Sequence, residues 1–259
     1  MILMRQGSKK FMAKSLLGLF PQHEIYIEPF FGSGGMFFQK RPQAKFNLLN
    51  DLDSEIFNFF QVLKFHNKEF IEALKITDIS MQRLQHYKKN EYKDNPIERA
   101  IRFLFLSNFT FLAKGETLKL GNSNHKEMIF NRLNATIKML SNAVISNKDW
   151  QDFLTSISFR HSSDKQRAFI YADPPYCNTR QDTYNTGKGW GETSLRALVS
   201  FLCSYGCKFG ISEFDSPGVL QLAKEFELQI NYIQERQNLK NRRTEILLTN
   251  YNPQTNLFE

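Results

Sequence analysis

Three cysteines in 259 residues cannot pair completely, so no disulfide framework holds this chain together. Cys203 and Cys207 fall within an apolar helical pattern and read as packing, since a metal site would lack partners. No apolar run approaches the roughly 20 residues a membrane span requires. The start, Met1-Ile2-Leu3-Met4-Arg5, is too short and wrongly built for a signal peptide. Repeats and low-complexity tracts are missing as well. Together these absences point to a reducing cytoplasm. An acidic balance is also lacking: 34 Lys and Arg stand against 26 Asp and Glu, a formal +8. That excess favours a polyanionic partner, because phosphate contacts gain from counterion release. With 41% hydrophobic residues, a chain of this length can fill one large core or two modest ones.

What is present centres on Ile170-Tyr171-Ala172-Asp173-Pro174-Pro175-Tyr176. An apolar run that reads as a buried strand stops at a carboxylate, two prolines and an aromatic ring. A strand needs none of these, since proline cannot donate to a ladder and an unpaired buried carboxylate is costly. At the carboxyl end of a strand in an open α/β sheet they form a small, stiff polar pocket. Asp173 and the Pro174 carbonyl become two acceptors at a set spacing, and Tyr176 offers a stacking face. The pocket suits a flat group bearing an exocyclic amine. Taken alone, a strand and a tight turn explain the stretch equally well.

Along the chain, residues 8–20 read as a short amphipathic helix closed by Pro21, followed by a strand from Glu24 to Phe30. Phe31-Gly32-Ser33-Gly34-Gly35 opens a helix at Met36, and Phe46 to Asp51 is a second strand ending in an acid. Strand, glycine turn, helix, strand and acid make the opening of a Rossmann-like nucleotide site. From Ser54 to about Asn142 the pattern is helical and Phe-rich, with segments at 55–64, 96–106 and 125–140 around an irregular polar loop at 107–124. This is either helical filler or, as inserts of this size in α/β sheets often are, a recognition element. Strand signals return at 143–146, 168–172 and 208–212, with helices at 192–205 and 216–226. Two last strands, 228–233 and 244–251, flank a basic stretch. The expected architecture is one α/β domain made of 1–54 and 143–259, split by a helical insertion at 55–142.

The glycine turn lacks the Gly-Lys-Ser/Thr ending of a P-loop, and Glu28 just before it would repel a pyrophosphate. A ligand with a cationic centre and an amino-acid end fits better, with Asp51 accepting ribose hydroxyls. S-adenosylmethionine has these parts. Asp149-Trp150, after the third strand signal, reads as an adenine contact or as a helix cap with a core aromatic.

In order, the chain carries Gly7-Ser8-Lys9, Glu28-Pro29-Phe30-Phe31-Gly32-Ser33-Gly34-Gly35, Asn50-Asp51, a helical insertion, and Asp173-Pro174-Pro175-Tyr176. Beyond these come Tyr184, Trp190, Lys208-Phe209-Gly210-Ile211-Ser212 and Thr244-Glu245-Ile246-Leu247-Leu248-Thr249-Asn250. This order resembles the DNA adenine-N6 methyltransferases of the Dam (D12, α-group) type over nearly the whole chain. The resemblance implies a Rossmann-like S-adenosylmethionine-dependent sheet with an inserted helical target-recognition domain. It assigns Lys9, Glu28, Pro29, Phe30, Gly32, Gly34, Asp51, Asp149, Trp150 and Asp173 to the methyl donor. Asp173, Pro174, Pro175 and Tyr176 then receive an adenine flipped from the duplex, whose N6 cannot be reached in the stack. No metal is required. On this reading Asp173→Ala abolishes transfer while DNA binding survives, Tyr176→Ala impairs positioning and Tyr176→Phe is mild.

Lys114, Lys119, Tyr184, Lys188, Lys240, Arg242 and Arg243 are the candidate DNA contacts, with solvated loop charge as the competing explanation for each lysine and arginine. Between Phe103 and Asn131 there is no arginine, the commonest reader of guanine, so the GATC target of related enzymes does not carry over. The partners expected are double-stranded DNA and, functionally, a cognate restriction endonuclease. An RNA adenine-N6 methyltransferase keeps the same pocket chemistry. A catalytically silent DNA-binding protein on the same fold is the alternative from a different class.

Overall fold

The computed structural model describes residues 2–4, 9, 12–89, 94–119, 124–177, 189–238 and 241–253, with 236–238 and 241–242 described by backbone alone. Its centre is a seven-stranded sheet built from β1 (Ile25–Glu28), β2 (Phe46–Asn50), β3 (Ala143–Ser146), β4 (Ala168–Ala172), β5 (Lys208–Phe214), β6 (Gln229–Asn238) and β7 (Asn241–Thr249). The order across the sheet is β3-β2-β1-β4-β5-β7-β6. The first five strands are parallel, and β7 runs antiparallel between β5 and β6. This is the expected Rossmann-like architecture. Strand order reverses between β1 and β4, so the crevice where such sheets hold ligands opens beyond Glu28 and Ala172.

All five residues of β4 are buried, as a central parallel strand covered on both faces requires. Its alternation sends Ala168, Ile170 and Ala172 to one apolar cluster and Phe169 and Tyr171 to the other. The first cluster is covered by α7 (Trp150–Thr155), α9 (Glu192–Tyr205) and α10 (Pro217–Glu225). The second is covered by α1 (Ala13–Gly18) and by α2 (Ser54–Phe65), α3 (Asn67–Ile76), α4 (Met81–Lys88), α5 (Pro96–Phe109) and α6 (His125–Leu140). A short α8 (Ser162–Gln166) precedes β4.

The helix boundaries follow local chemistry. Asp53 accepts from Glu55 N to start α2, and Ser80 accepts from Arg83 N to start α4. Asn95 accepts from Ile97 and Glu98 N, with Pro96 at the first position of α5, where its missing N–H costs nothing. Gly206, at φ 85°, ends α9. Helices α2 to α6 lie between β2 and β3, and their apolar faces join Tyr26, Leu49, Phe169 and Tyr171 of the sheet in one continuous cluster. Residues 2–4 dock on this layer: Ile2 and Leu3 are buried, Met4 N donates to Ser107 Oγ, and Ser107 Oγ donates to Met4 O.

Four expectations change. No regular helix follows the glycine turn; residues 36–39 form successive turns, and Pro42 cannot continue the i to i−4 bonding begun by Phe38 N to Gly34 O. The first helix is confined to Ala13–Gly18. Strands β6 and β7 run on to Asn238 and Asn241, so the basic stretch is largely strand rather than loop. Cys203 is exposed on α9, while Cys207 is buried beyond the helix end, so they do not share one packed face. No helix among the described residues is long and apolar enough to cross a membrane.

Phe59 is fully buried on α2, with its ring against Phe60, Phe70 and Phe103. Phe59→Ala is expected to cost about 3–5 kcal/mol through the cavity it leaves. Because the cluster is continuous, urea unfolding followed by far-UV circular dichroism and by fluorescence of Trp150 and Trp190, which lie outside α2–α6, should give coincident transitions at a lowered midpoint.

Candidate active site

The donor side of the crevice is the turn after β1. Gly32 and Gly34 have φ of +53° and +72°, a region that favours glycine. At Gly34 a Cβ would run into the Phe38 ring, so packing requires glycine there. At Gly32 it would meet nothing within 4 Å, which leaves room for a ligand against the backbone. Asp51 holds the turn through Oδ2, which accepts from Gly32 N at 2.6 Å, while Oδ1 accepts from Asp53 N at 2.9 Å. Fully buried Asn50 donates to the carbonyls of Pro29 and Lys148 and accepts from Lys148 N. One side chain thereby ties the segments that leave β1, β2 and β3. Asp149 caps α7 by accepting from Gln151 N, and Trp150 packs edge-on against Phe201. Phe30 meets Trp190 edge-on at 5.4 Å.

The second side of the crevice follows β4. Asp173 Oδ1 accepts from Lys9 Nζ at 2.5 Å, and Glu245 Oε1 lies 3.4 Å from the same ammonium. Lys9 and Glu245 are buried, whereas the Asp173 side chain keeps 22% of its surface exposed, so Asp173 is where this cluster meets solvent. Tyr176 donates its hydroxyl to Glu245 Oε1 at 2.7 Å, with the Lys9 ammonium 4.7 Å from its ring centre. Phe214 packs edge-on against Tyr176 at 4.6 Å, and the Arg243 guanidinium lies over Phe214. Glu213, fully buried, accepts from Cys177 N and from Phe214 N.

Burial dominates the electrostatics. It pushes the carboxyl of Asp173 up, against the opposing pull of Lys9, and that of Glu28 well up, while Tyr26 donates to Glu28 Oε2. It pushes Glu213 up to about 7 and Cys177 up to about 12, and raises the Tyr176 phenol well beyond its ordinary range. Asp51 holds the Gly32 turn beneath open space on one side, and Asp173 presents its partly exposed carboxyl on the other, while Glu28 is buried against Tyr26. The open space over Gly32 with the carboxylates of Asp51 and Asp173 fits the cationic groups of S-adenosylmethionine, and the turn at 29–35 carries no lysine or arginine for a polyphosphate.

The family model of the D12 class N6 adenine-specific DNA methyltransferases matches residues 6–242. The chain belongs to that family. A Type II methyltransferase, M1.LlaDCHI from Lactococcus lactis subsp. cremoris, is 25% identical over 278 residues, spanning 95% of this chain and 93% of the relative. Among solved structures, Trm5b from Pyrococcus abyssi matches with a TM-score of 0.38 at 10% identity, over 95% of this chain and 49% of that one. The rRNA methyltransferase aviRa from Streptomyces viridochromogenes matches with a TM-score of 0.38 at 11% identity, over 92% and 82%. At those scores neither structure contributes to the assignment. This D12 methyltransferase uses S-adenosylmethionine and methylates N6 of adenine in DNA. The RNA and silent-binder alternatives are not favoured.

In the D12 enzyme the fold brings Glu28, Pro29, Phe30, Gly32, Gly34 and Asp51 to one side of the crevice and Asp173 to Tyr176 to the other. Lys9, expected at the methyl donor, lies with the second group, against Asp173 and Glu245. Lys114 is exposed and Lys119 half-buried in the connection between α5 and α6. Tyr184, Lys188 and Lys240 lie outside the described residues, as does the side chain of Arg242. Sequence reasoning missed Glu213, Phe214 and the bonding of Glu245 to Tyr176. The available signal was an acid inside each strand, Glu213 beside Phe214 in β5 and Glu245 just before Ile246-Leu247-Leu248 in β7.

The hydroxyl of Tyr176 therefore matters more than stacking alone requires. Tyr176→Phe removes a donor from a fully buried carboxylate, and is expected to cost about 1–3 kcal/mol rather than to be mild. Urea denaturation of the two proteins at neutral pH measures the difference.

Proposed function

We propose that Asp173 and the Pro174 carbonyl accept the two N6 hydrogens of an adenine flipped out of duplex DNA, while Tyr176 stacks on its ring. The observation that carries this reading is the buried cluster at the switch point, in which Asp173 is the exposed acceptor and a primary ammonium already sits on it. The Lys9 ammonium donating to Asp173 supports a nitrogen donor at this position, and on this reading Lys9 yields or shares Asp173 when the base enters. When bound, S-adenosylmethionine supplies an electrophilic methyl group. Asp51 would hold its ribose, Asp149 and Trp150 its adenine, and Glu28 with the Pro29–Gly34 turn its amino-acid end. The amine lone pair is conjugated into the ring, so hydrogen bonding by Asp173 and Pro174 draws the nitrogen toward tetrahedral geometry and aims that lone pair. Positive charge develops on N6 during transfer, and the Asp173 carboxylate stabilises it.

On this reading 1–54 and 143–259 form the catalytic part and 55–142 reads the target. The connection between α5 and α6 supports that role. Thr110 and Leu118 bridge to close a small hairpin, and Phe111 and Leu112 stand 59% and 52% exposed at its tip, with Leu112 and Ala113 at positive φ. Exposed apolar side chains on a strained tip beside Lys114 suit a wedge entering between base steps, flanked by a phosphate contact. Lys119, Lys188, Lys240, Arg242 and Arg243 complete the proposed phosphate contacts, with Tyr184 as a further proposed DNA contact. The Type II designation of the Lactococcus relative supports a place beside a restriction endonuclease, in the cytoplasm.

Base-resolution mapping of N6-methyladenine in DNA from cells expressing the protein should return a single short motif; unmethylated DNA would refute the reading. Asp173→Ala is expected to lower methyl transfer by at least about 10³-fold with DNA affinity retained, and near-normal turnover would sink the mechanism. Phe111→Ala should lower transfer to duplex DNA about tenfold and spare a substrate whose target adenine is already unpaired.

A further inference from the structure

We propose that Glu213 is a positioning residue whose ionised carboxylate clamps the two aromatic walls of the adenine pocket in register for methyl transfer. The inference rests on Tyr176 being the stacking wall. Its two oxygens accept from two separate segments: Oε2 from Cys177 N at 3.0 Å, the residue after Tyr176, and Oε1 from Phe214 N at 2.8 Å. Phe214 is the ring packed edge-on against Tyr176, so one carboxylate holds both members of that contact from behind. Glu213 is fully buried, and among the described residues neither oxygen has a salt-bridge partner. A carboxylate without a counter-ion is costly at this depth, and its use here is to satisfy two backbone donors at a fixed separation.

A carboxylate accepts both N–H groups. A protonated carboxyl turns one oxygen toward a donor as a hydroxyl and loses one of the two bonds. Burial brings the Glu213 carboxyl up to about 7, so that exchange falls within the working range of the enzyme. The groups facing it are Asp173 and the Cys177 thiol from the segment after β4, with Glu192 of α9 beside that thiol. On β7, Glu245 is coupled to Asp173 through Lys9. The Cys177 thiol, pushed up to about 12, stays neutral throughout. Since the Glu213 carboxyl is raised by folding, its contribution to stability is present below its ordinary value of 4.5 and is lost as pH rises through about 7. Clamping strengthens over the same interval. A rise in activity there cannot come from better folding by this group.

The test is the single-turnover rate of methyl transfer from labelled S-adenosylmethionine to unmethylated plasmid DNA, between pH 5.5 and 8.5. The wild-type rate is expected to rise about tenfold from pH 6 to pH 8. Glu213→Gln, which mimics the protonated carboxyl, should give a flat profile near the wild-type rate at pH 6, with unchanged S-adenosylmethionine affinity by calorimetry. Glu213→Asp should keep the pH dependence and more of the rate at pH 8. A Glu213→Gln enzyme with the wild-type rate, or with the wild-type pH dependence intact, overturns the proposal. Should that variant fail to fold, a flat wild-type profile overturns it instead. Tyr176→Ala separates the two readings: if it transfers normally, the stacking role itself fails, whereas an impaired Tyr176→Ala beside a normal Glu213→Gln removes only the clamp.

Discussion

The ammonium of Lys9, held between Asp173 and Glu245, is the interaction around which the rest of the crevice is arranged. Two carboxylates and one cation in a water-poor site are tolerable only as a set, because removing one partner strands a buried charge. The set is drawn from three distant parts of the chain. Residues 2–4 anchor on α5 through Ser107, just before Lys9. Asp173 stands at the end of β4. Glu245 arrives on β7, which inserts antiparallel beside β5 and so brings a carboxylate behind Tyr176. The antiparallel strand, a detail of topology, is thereby part of the chemistry.

On the other side of the crevice the constraint is steric. Gly34 has no room for a side chain and Gly32 has ample room, so a turn that looks uniform in sequence divides into one glycine required for packing and one that leaves space for a ligand. Asn50 and Asp51 spend their hydrogen bonds holding that turn against β2 and the segment after β3.

The helical insertion shares its core with one face of the sheet, since rings from α2, α3 and α5 pack in the same cluster as Tyr26, Phe169 and Tyr171. The connection between α5 and α6 springs directly from this shared core.

Local pattern was enough for some elements: α6 and α9 begin and end where periodicity places them, and β4 ends at Ala172, just before Asp173 and its prolines, whereas α3, α4, α7 and α8 were not foreseen. The fold class and the methyl donor were legible because their signals lie in short contiguous motifs. The turns at 36–39, where a helix was expected, show the limit of such reading, since ring packing and Pro42 outweighed propensity there. What only the tertiary structure decided are the partners. Lys9 meets Asp173 across 164 residues and Tyr176 meets Glu245 across 69. Periodicity and turn chemistry are short-ranged and can be read along the chain. The pairing of buried charges depends on which strand ends adjoin, and that is settled only when the sheet closes around them.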